Sequence, residues 1–112
     1  MRYKGVVQKG DRRGTALGFP TINIPFEGDR PEGIFAAEVF VDGEGYLAVA
    51  YANTSRKILE AHLLDFSDDL YDKEVEIHLL KKMRDDKRFE HTAELKKAIA
   101  EDIKGVRQYF GL

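Results

Sequence analysis

The chain has 112 residues, of which 43% are hydrophobic and 34% charged, with a formal net charge of −2 at pH 7. This length suits one domain, residues 1–112, that can bury a core without cross-links. Cysteine is absent, which excludes disulfides and thiolate zinc sites. The charge argues against nucleic acid as a partner, and no apolar run approaches the roughly 20 residues that span a bilayer. We therefore expect a cytoplasmic monomer that binds neither nucleic acid nor membranes.

Short stretches of alternating or β-rich sequence fill the first 80 residues, separated by glycine and aspartate turns. The predicted strands are Tyr3–Gln8, Thr21–Ile24, Gly33–Val41, Tyr46–Tyr51, Ile58–Phe66 and Lys73–Leu80. An Asp-Gly step between the third and fourth strands predicts a hairpin. Because no helical pattern separates the strands, they indicate an antiparallel barrel or sandwich.

The pattern changes near the C-terminus, where apolar residues recur at steps of three and four. They are Leu95, Ile99, Ile103, Val106 and Phe110. This spacing predicts a helix over Ala93–Tyr109 with one buried face, and Thr92 is a candidate N-cap. The expected fold is therefore mainly β, with one C-terminal α-helix that covers the barrel.

The stretch KGDRRGTALGFPTINIP, Lys9–Pro25, places Gly10, Gly14 and Gly18 four residues apart among arginines that include Arg13. It does not fit a phosphate loop, because Asp-Arg follows the first of these glycines, and it does not lead into a helix as a dinucleotide fingerprint would. Backbone N–H groups and arginines can nevertheless surround an anion. An ordinary surface loop is the alternative.

Thr21 and Asn23 are two residues apart on a predicted strand and so share one face, while Ile22 and Ile24 form a core pair on the other. Their hydroxyl and amide oxygens are ligands that Mg²⁺ accepts, and nucleotide phosphates could supply the missing negative charge. The alternative is a polar face with ordinary strand contacts.

Glu60 shares a strand face with Ile58 and Leu64, an unusual setting for a carboxylate that is merely solvated. A carboxylate on a half-apolar face is suited to general-base catalysis. The alternative is an ion pair with Lys57 or Arg56, or a second strand face exposed to water.

Four motifs occur in order along the chain: GFPTIN, PEGIFA, EAHL and DLY. Together they resemble the riboflavin kinase (flavokinase) family, in the form of the C-terminal module of bacterial bifunctional FAD synthetases. The resemblance implies a six-stranded antiparallel Greek-key barrel and transfer of the γ-phosphoryl group of ATP to the 5′-hydroxyl of riboflavin, giving FMN. As a stand-alone domain without an adenylyltransferase half, the chain is expected to make FMN but not FAD.

The resemblance also implies roles for individual residues. The loop residues that would cover the nucleotide are Gly10, Arg13, Gly14 and Gly18. Thr21 and Asn23 would bind the phosphates and a divalent metal, Mg²⁺ with Zn²⁺ or Mn²⁺ as alternatives. Glu60 would accept the proton of the ribityl hydroxyl.

The stretch Leu47–Glu60 departs from the family pattern, because it is shorter and lacks the Asn-Ile-Gly and Pro-Thr-Phe segments. Asp72 also replaces a turn glycine. A non-catalytic flavin- or nucleotide-binding module is therefore an alternative. A nucleic-acid-binding barrel that stacks bases on Phe35, Phe40 or nearby tyrosines is a third, and the net charge argues against it.

Overall fold

The computed structural model describes residues 1–8, 18–26, 32–53, 56–66 and 69–112. Its elements are β1 (Arg2–Val6), β2 (Ile22–Pro25), β3 (Gly33–Val41), β4 (Glu44–Asn53), β5 (Ile58–Leu63), β6 (Glu74–Arg84) and α1 (Thr92–Tyr109). All six predicted strands are present, with ends that shift by a few residues. The fifth strand stops earlier than predicted because a turn follows, with Asp65 at a φ of +57°.

The six strands form one antiparallel sheet in the order β1-β6-β3-β4-β5-β2. Strands β3, β4 and β5 follow one another as hairpins, and β6 returns beside β3, which is a Greek-key arrangement. The Gln8 N–H donates to the Asn23 carbonyl at 2.8 Å, so the ends of the sheet meet. The sheet is a nearly closed barrel, which confirms the predicted fold class.

Small side chains lie side by side on neighbouring strands of the barrel interior. Ala37 lies opposite Ala48, and Ala50 opposite Ala61, in the strand registers. Larger apolar residues fill the remaining space, as expected for a small barrel whose interior is packed with side chains. The fully buried large members are Val7, Ile24, Val39, Leu59, Val75 and Ile77.

A second apolar cluster lies outside the barrel, where α1 covers β3, β4 and β6. Val106 of the helix packs there with Ile34 and Val49 of the sheet, and all three are buried. The predicted role of the helix as a cover is therefore confirmed. Within the described residues, no helix has the length and apolar character needed to cross a membrane.

The helix begins one residue earlier than the sequence suggested. His91 has extended backbone angles (φ −117°, ψ 138°) and is the N-cap, without a side-chain capping bond. Its carbonyl accepts a hydrogen bond from the Leu95 N–H at 3.2 Å, so Thr92 is already helical. The prediction of Thr92 as N-cap was therefore wrong.

Candidate functional site

A row of side chains crosses the outer face of the sheet from β2 to β6. Asn23 pairs with Glu60, Glu60 with Tyr51, Tyr51 with Ile34, and Ile34 with Arg84. Residues directly opposite in an antiparallel pair project from the same face. The row therefore brings the acid of β5 beside the aromatic ring of β4 and, further along, the arginine of β6.

A cleft of about 190 Å³ lies along this row, between the sheet, the start of α1 and the segment that follows β6. On the side of β2 and β5 and their neighbours, the polar lining residues are Thr21, Asn53, Arg56, Glu60 and His62, with Phe19 beside them. On the side of β3, α1 and the segment before the helix, the apolar lining residues include Ile34, Phe89, Leu95 and Ile99, and the charged residues Arg84, Asp86 and Lys87 line the cleft there too. One wall can thus hydrogen bond, and the other has apolar surface for a flat group next to charged side chains.

The segment that leads into β2 is fixed against β5. The His62 Nδ1 lies 2.8 Å from the Pro20 carbonyl oxygen, and the ring of Phe19 meets the His62 ring edge to face at 6.1 Å. A carbonyl can only accept, so Nδ1 carries the proton in this contact. Gly18, just before this segment, has a φ of +91°, a conformation that favours glycine. His62 therefore holds the end of the glycine-containing stretch beside the cleft.

The residues predicted from sequence are brought together in part. Thr21 and Glu60 line the cleft. Asn23 is 7% exposed and faces the same way as Glu60, but it is not among the lining residues. Gly10, Arg13 and Gly14 lie outside the described residues.

The side chain of Glu60 is 24% exposed, and its Oε1 lies 3.9 Å from an Nη of Arg56. At that separation the guanidinium attracts the carboxylate without forming a hydrogen bond. The ion pair with Arg56, which was the alternative for Glu60 in the sequence analysis, is thus present at a long distance. Glu60 also lines the cleft, so the ion pair and a role at the cleft are compatible.

An ion pair between Arg84 and Asp102 connects the end of β6 to α1. The Arg84 Nε and Nη2 each donate to one carboxylate oxygen at 2.8 Å, and the Asp102 side chain is 7% exposed. The hydrogen bonds that Arg84 donates to Asp102 raise the pKa of Arg84 above its ordinary value. This pair fixes the helix at the apolar wall of the cleft, and sequence reasoning missed it.

Tyr51 is a second residue that the sequence did not assign to the site, although its alternation along β4 puts it on the outer face. The ring lines the cleft, and the hydroxyl is buried without a hydrogen-bond partner among the described residues. Burial raises the pKa of Tyr51 well above its ordinary value, and the nearby carboxylate of Asp102 raises it further. The side chain is therefore a neutral phenol.

The connection between β4 and β5 is short. Asn53 pairs with Ile58, so only positions 54–57 separate the two strands. The Asn53 Oδ1 accepts a hydrogen bond from the Arg56 N–H at 3.1 Å, and Lys57 has a φ of +54°. The departure seen in the sequence thus includes a connection of four residues, of which 56 and 57 are described and Arg56 lines the cleft.

A model of the family described as "Flavokinase: Riboflavin kinase" matches residues 1–110 of the chain. A bifunctional riboflavin kinase/FMN adenylyltransferase of Escherichia coli is 40% identical over 96% of this chain, and the one of Bacillus subtilis is 31% identical over 96%. The chain spans only 37% and 38%, respectively, of the length of these two relatives.

A solved structure is also similar, a crystal structure described as a macrolide-efflux protein of Streptococcus pneumoniae. The TM-score is 0.82 over 95% of this chain and 38% of the other, with 24% sequence identity. This likeness supports the barrel fold alone. The family model and the two relatives name the family that the ordered motifs GFPTIN, PEGIFA, EAHL and DLY resemble. The chain belongs to the riboflavin kinase (flavokinase) family.

Proposed function

We propose that this domain transfers the γ-phosphoryl group of ATP to the 5′-hydroxyl of riboflavin, giving FMN and ADP. The observation that carries the proposal is that Thr21, just before β2, and Glu60, on β5, line one cleft that also has apolar surface from α1 and the segment before it. Membership of the riboflavin kinase family supports the choice of reaction.

The two walls of the cleft suit the two ends of riboflavin. The ring system is flat and largely apolar, and it matches the wall of Phe89, Leu95 and Ile99. The ribityl chain is a polyol that needs hydrogen-bonding partners, which the opposite wall provides through Glu60 and its polar neighbours. In this orientation the reactive 5′-hydroxyl lies at the polar wall.

In the proposed mechanism Glu60 acts as the general base. Its carboxylate accepts the proton of the 5′-hydroxyl while that oxygen bonds to the γ-phosphorus. The bond between the γ-phosphorus and the β,γ-bridging oxygen breaks, and ADP leaves. Arg56, 3.9 Å from Glu60, would add positive charge beside the transferred group.

The donor set near Glu60 fits a divalent metal that arrives with the nucleotide. Thr21 and Asn23 offer neutral oxygens, and the described part of the chain has no group of three or more His, Cys, Asp or Glu side chains that could hold a metal. A hard cation such as Mg²⁺, with Zn²⁺ or Mn²⁺ as alternatives, suits oxygen ligands that are shared with phosphate. The bound metal would neutralise charge on the phosphates. The nucleotide-covering role of Gly10, Arg13, Gly14 and Gly18 stays a prediction.

The test incubates the protein with riboflavin, ATP and MgCl₂ and measures FMN by liquid chromatography. We expect the wild type to form FMN, and Glu60→Gln to be slower by about a hundredfold or more, because general-base catalysis contributes about 10²–10⁴. Glu101→Gln, an exposed helix residue, is the matched control. Absence of FMN from folded wild-type protein would contradict the proposed function, and an unchanged rate in Glu60→Gln would remove Glu60 from the mechanism.

The short β4–β5 connection favours a second candidate, a module that binds flavin or nucleotide without turnover. Fewer residues at the cleft edge leave less chain to enclose the substrates and exclude water. Calorimetry with riboflavin and ADP in the same buffer distinguishes the two. Tight binding without any FMN formation would favour the binding module over the kinase.

A further inference from the structure

The buried hydroxyl of Tyr51 belongs to a residue that lines the cleft and has no role in the proposed mechanism. It has no hydrogen-bond partner among the described residues, although buried polar groups are almost always paired. Its ring lines the cleft. An unpaired buried donor at the wall of a cleft is a position where a bound ligand can supply the missing partner.

The charged groups around this hydroxyl do not satisfy it. Asp102 of α1 and Arg84 of β6 bond to each other through two hydrogen bonds, so the guanidinium and the carboxylate are engaged. Glu60 pairs with Tyr51 across the strands, and its Oε1 lies near Arg56. Burial, and after it the nearby carboxylates of Asp102 and Glu60, disfavour the phenolate and raise the pKa of Tyr51, so the group keeps its proton and is available as a donor.

Tyr51 also lies in the stretch Leu47–Glu60, where this chain departs from the family pattern and lacks the Asn-Ile-Gly segment. It stands on β4 shortly before the short connection of positions 54–57.

We propose that the Tyr51 hydroxyl donates a hydrogen bond to an oxygen of the bound flavin, which makes Tyr51 a substrate-binding residue. The proposal rests on the proposed function, because it takes the cleft to be the riboflavin site. Tyr51 lies between Glu60 and Ile34 in the row, so the acceptor is a ribityl hydroxyl or a ring carbonyl near the junction of chain and ring. The hydroxyl oxygen is buried in the ligand-free protein, so the bond requires the phenol to shift toward the cleft when the flavin binds.

The test compares Tyr51→Phe with the wild type and with Tyr46→Phe, a control whose hydroxyl bonds to Glu44 at an exposed site. Riboflavin binding is measured by fluorescence quenching and ADP binding by calorimetry, and KM and kcat are determined for both substrates. We expect Tyr51→Phe to weaken riboflavin binding about tenfold, or 1.4 kcal/mol. The KM for ATP, the affinity for ADP and the properties of Tyr46→Phe should change less than twofold.

A thermal melt of the ligand-free protein gives an independent readout. Because Tyr51→Phe removes an unpaired buried hydroxyl, we expect the melting temperature to stay the same or rise while riboflavin binding falls. Lumiflavin, which has the ring without the ribityl chain, identifies the acceptor. An equal loss for lumiflavin indicates a ring carbonyl, and a loss for riboflavin alone indicates a ribityl hydroxyl.

Equal riboflavin affinity in wild type and Tyr51→Phe, with FMN formation intact, would overturn this inference and leave the proposed function standing. A loss of ADP affinity without a loss of riboflavin affinity would overturn it too. If folded wild-type protein binds no flavin and forms no FMN, the proposed function and the role of Tyr51 both fail.

Discussion

Removing the carboxylate of Asp102 should destabilise the protein far more than removing an exposed carboxylate that also pairs with an arginine. Asp102 accepts two hydrogen bonds from Arg84 at 2.8 Å, and its side chain is 7% exposed. Asp65 accepts hydrogen bonds from Arg107 at 2.9 and 3.4 Å, and its side chain is 75% exposed. The two pairs have similar chemistry and differ mainly in burial, so Asp65→Asn is a matched control for Asp102→Asn.

The magnitude follows from what each substitution leaves behind. Breaking a buried ion pair by removing one partner costs about 3–5 kcal/mol, because the other charge stays desolvated. The Arg84 side chain is 32% exposed and can recover part of its hydration, so we expect a loss of about 2–3 kcal/mol. An exposed pair contributes roughly 0–1 kcal/mol. Asp102→Asn should therefore lower the melting temperature by roughly 10–20 °C and Asp65→Asn by only a few degrees.

The assay is urea unfolding followed by circular dichroism, with thermal melts as a second measurement. A double variant, Arg84→Met with Asp102→Leu, distinguishes two causes of the stability loss in Asp102→Asn, namely the unpaired charge left on Arg84 and the loss of packing. If desolvated charge dominates, the double variant should be more stable than Asp102→Asn, because apolar replacement of both partners is often neutral or stabilising. Equal losses in Asp102→Asn and Asp65→Asn would refute the argument from burial. A double variant less stable than Asp102→Asn would refute the argument from the remaining charge.

Three further predictions concern backbone strain and pH. Gly33→Ala should cost about 2 kcal/mol or more in unfolding free energy, because Gly33 has a φ of +123° and a Cβ there would lie 2.7 Å from a backbone oxygen of β6. Gly43→Ala should cost only about 1 kcal/mol in unfolding free energy, because Gly43 has a φ of +85° but a Cβ there would have no atom within 4 Å. Equal urea midpoints for Gly33→Ala and Gly43→Ala would show that the close contact at Gly33 costs nothing. Asp72→Gly should raise the free energy of unfolding by up to about 1 kcal/mol, and with it the melting temperature, because Asp72 has a φ of +68° that glycine adopts more readily. A lower melting temperature would show that the turn tolerates aspartate. The hydrogen bond from Arg107 lowers the pKa of Asp65 below its ordinary value of 3.8. The ion pair therefore contributes to stability above pH 3.8, and this contribution is lost as the pH falls through the lowered pKa that Asp65 has in the folded protein. The difference in urea midpoint between wild type and Asp65→Asn should therefore shrink from pH 6 to pH 2, and a constant difference would contradict the linkage.

The sequence predicted those features that depend on local periodicity. In β5 the alternation placed Glu60 on one strand face with Ile58, and in the structure the intervening Leu59 and Ala61 are fully buried while Glu60 is partly exposed. A period of two with one buried face leaves little freedom in which side chains point inward. The helix was likewise found from its apolar spacing, and only its first residue was misplaced, because an extended His91 leaves no mark in the hydrophobic pattern.

The parts of the site that depend on pairing between distant strands could not be derived from local pattern. The row from Asn23 through Glu60 to Tyr51 requires the registers of two strand pairs, and each is fixed by tertiary packing. The bond between Arg84 and Asp102 joins a strand end to a helix across an intervening segment of irregular structure. The grouping of Thr21, Asn23 and Glu60 into one mechanism was available from the family resemblance and not from spacing.

The location of the cleft follows from the size of the barrel. Six strands lined by alanines and branched residues leave an interior that side chains fill, so a ligand must bind outside it. The C-terminal helix packs mainly on β3, β4 and β6, while the outer face of β5 carries the polar side chains of Glu60 and His62. The boundary between the covered and the uncovered part of the sheet therefore has apolar surface from the helix close to the polar side chains of β5. Tyr51, on β4, lies at that boundary. A ligand with an aromatic ring and a hydroxylated chain would need a hydrogen-bond donor at this place, between its two halves.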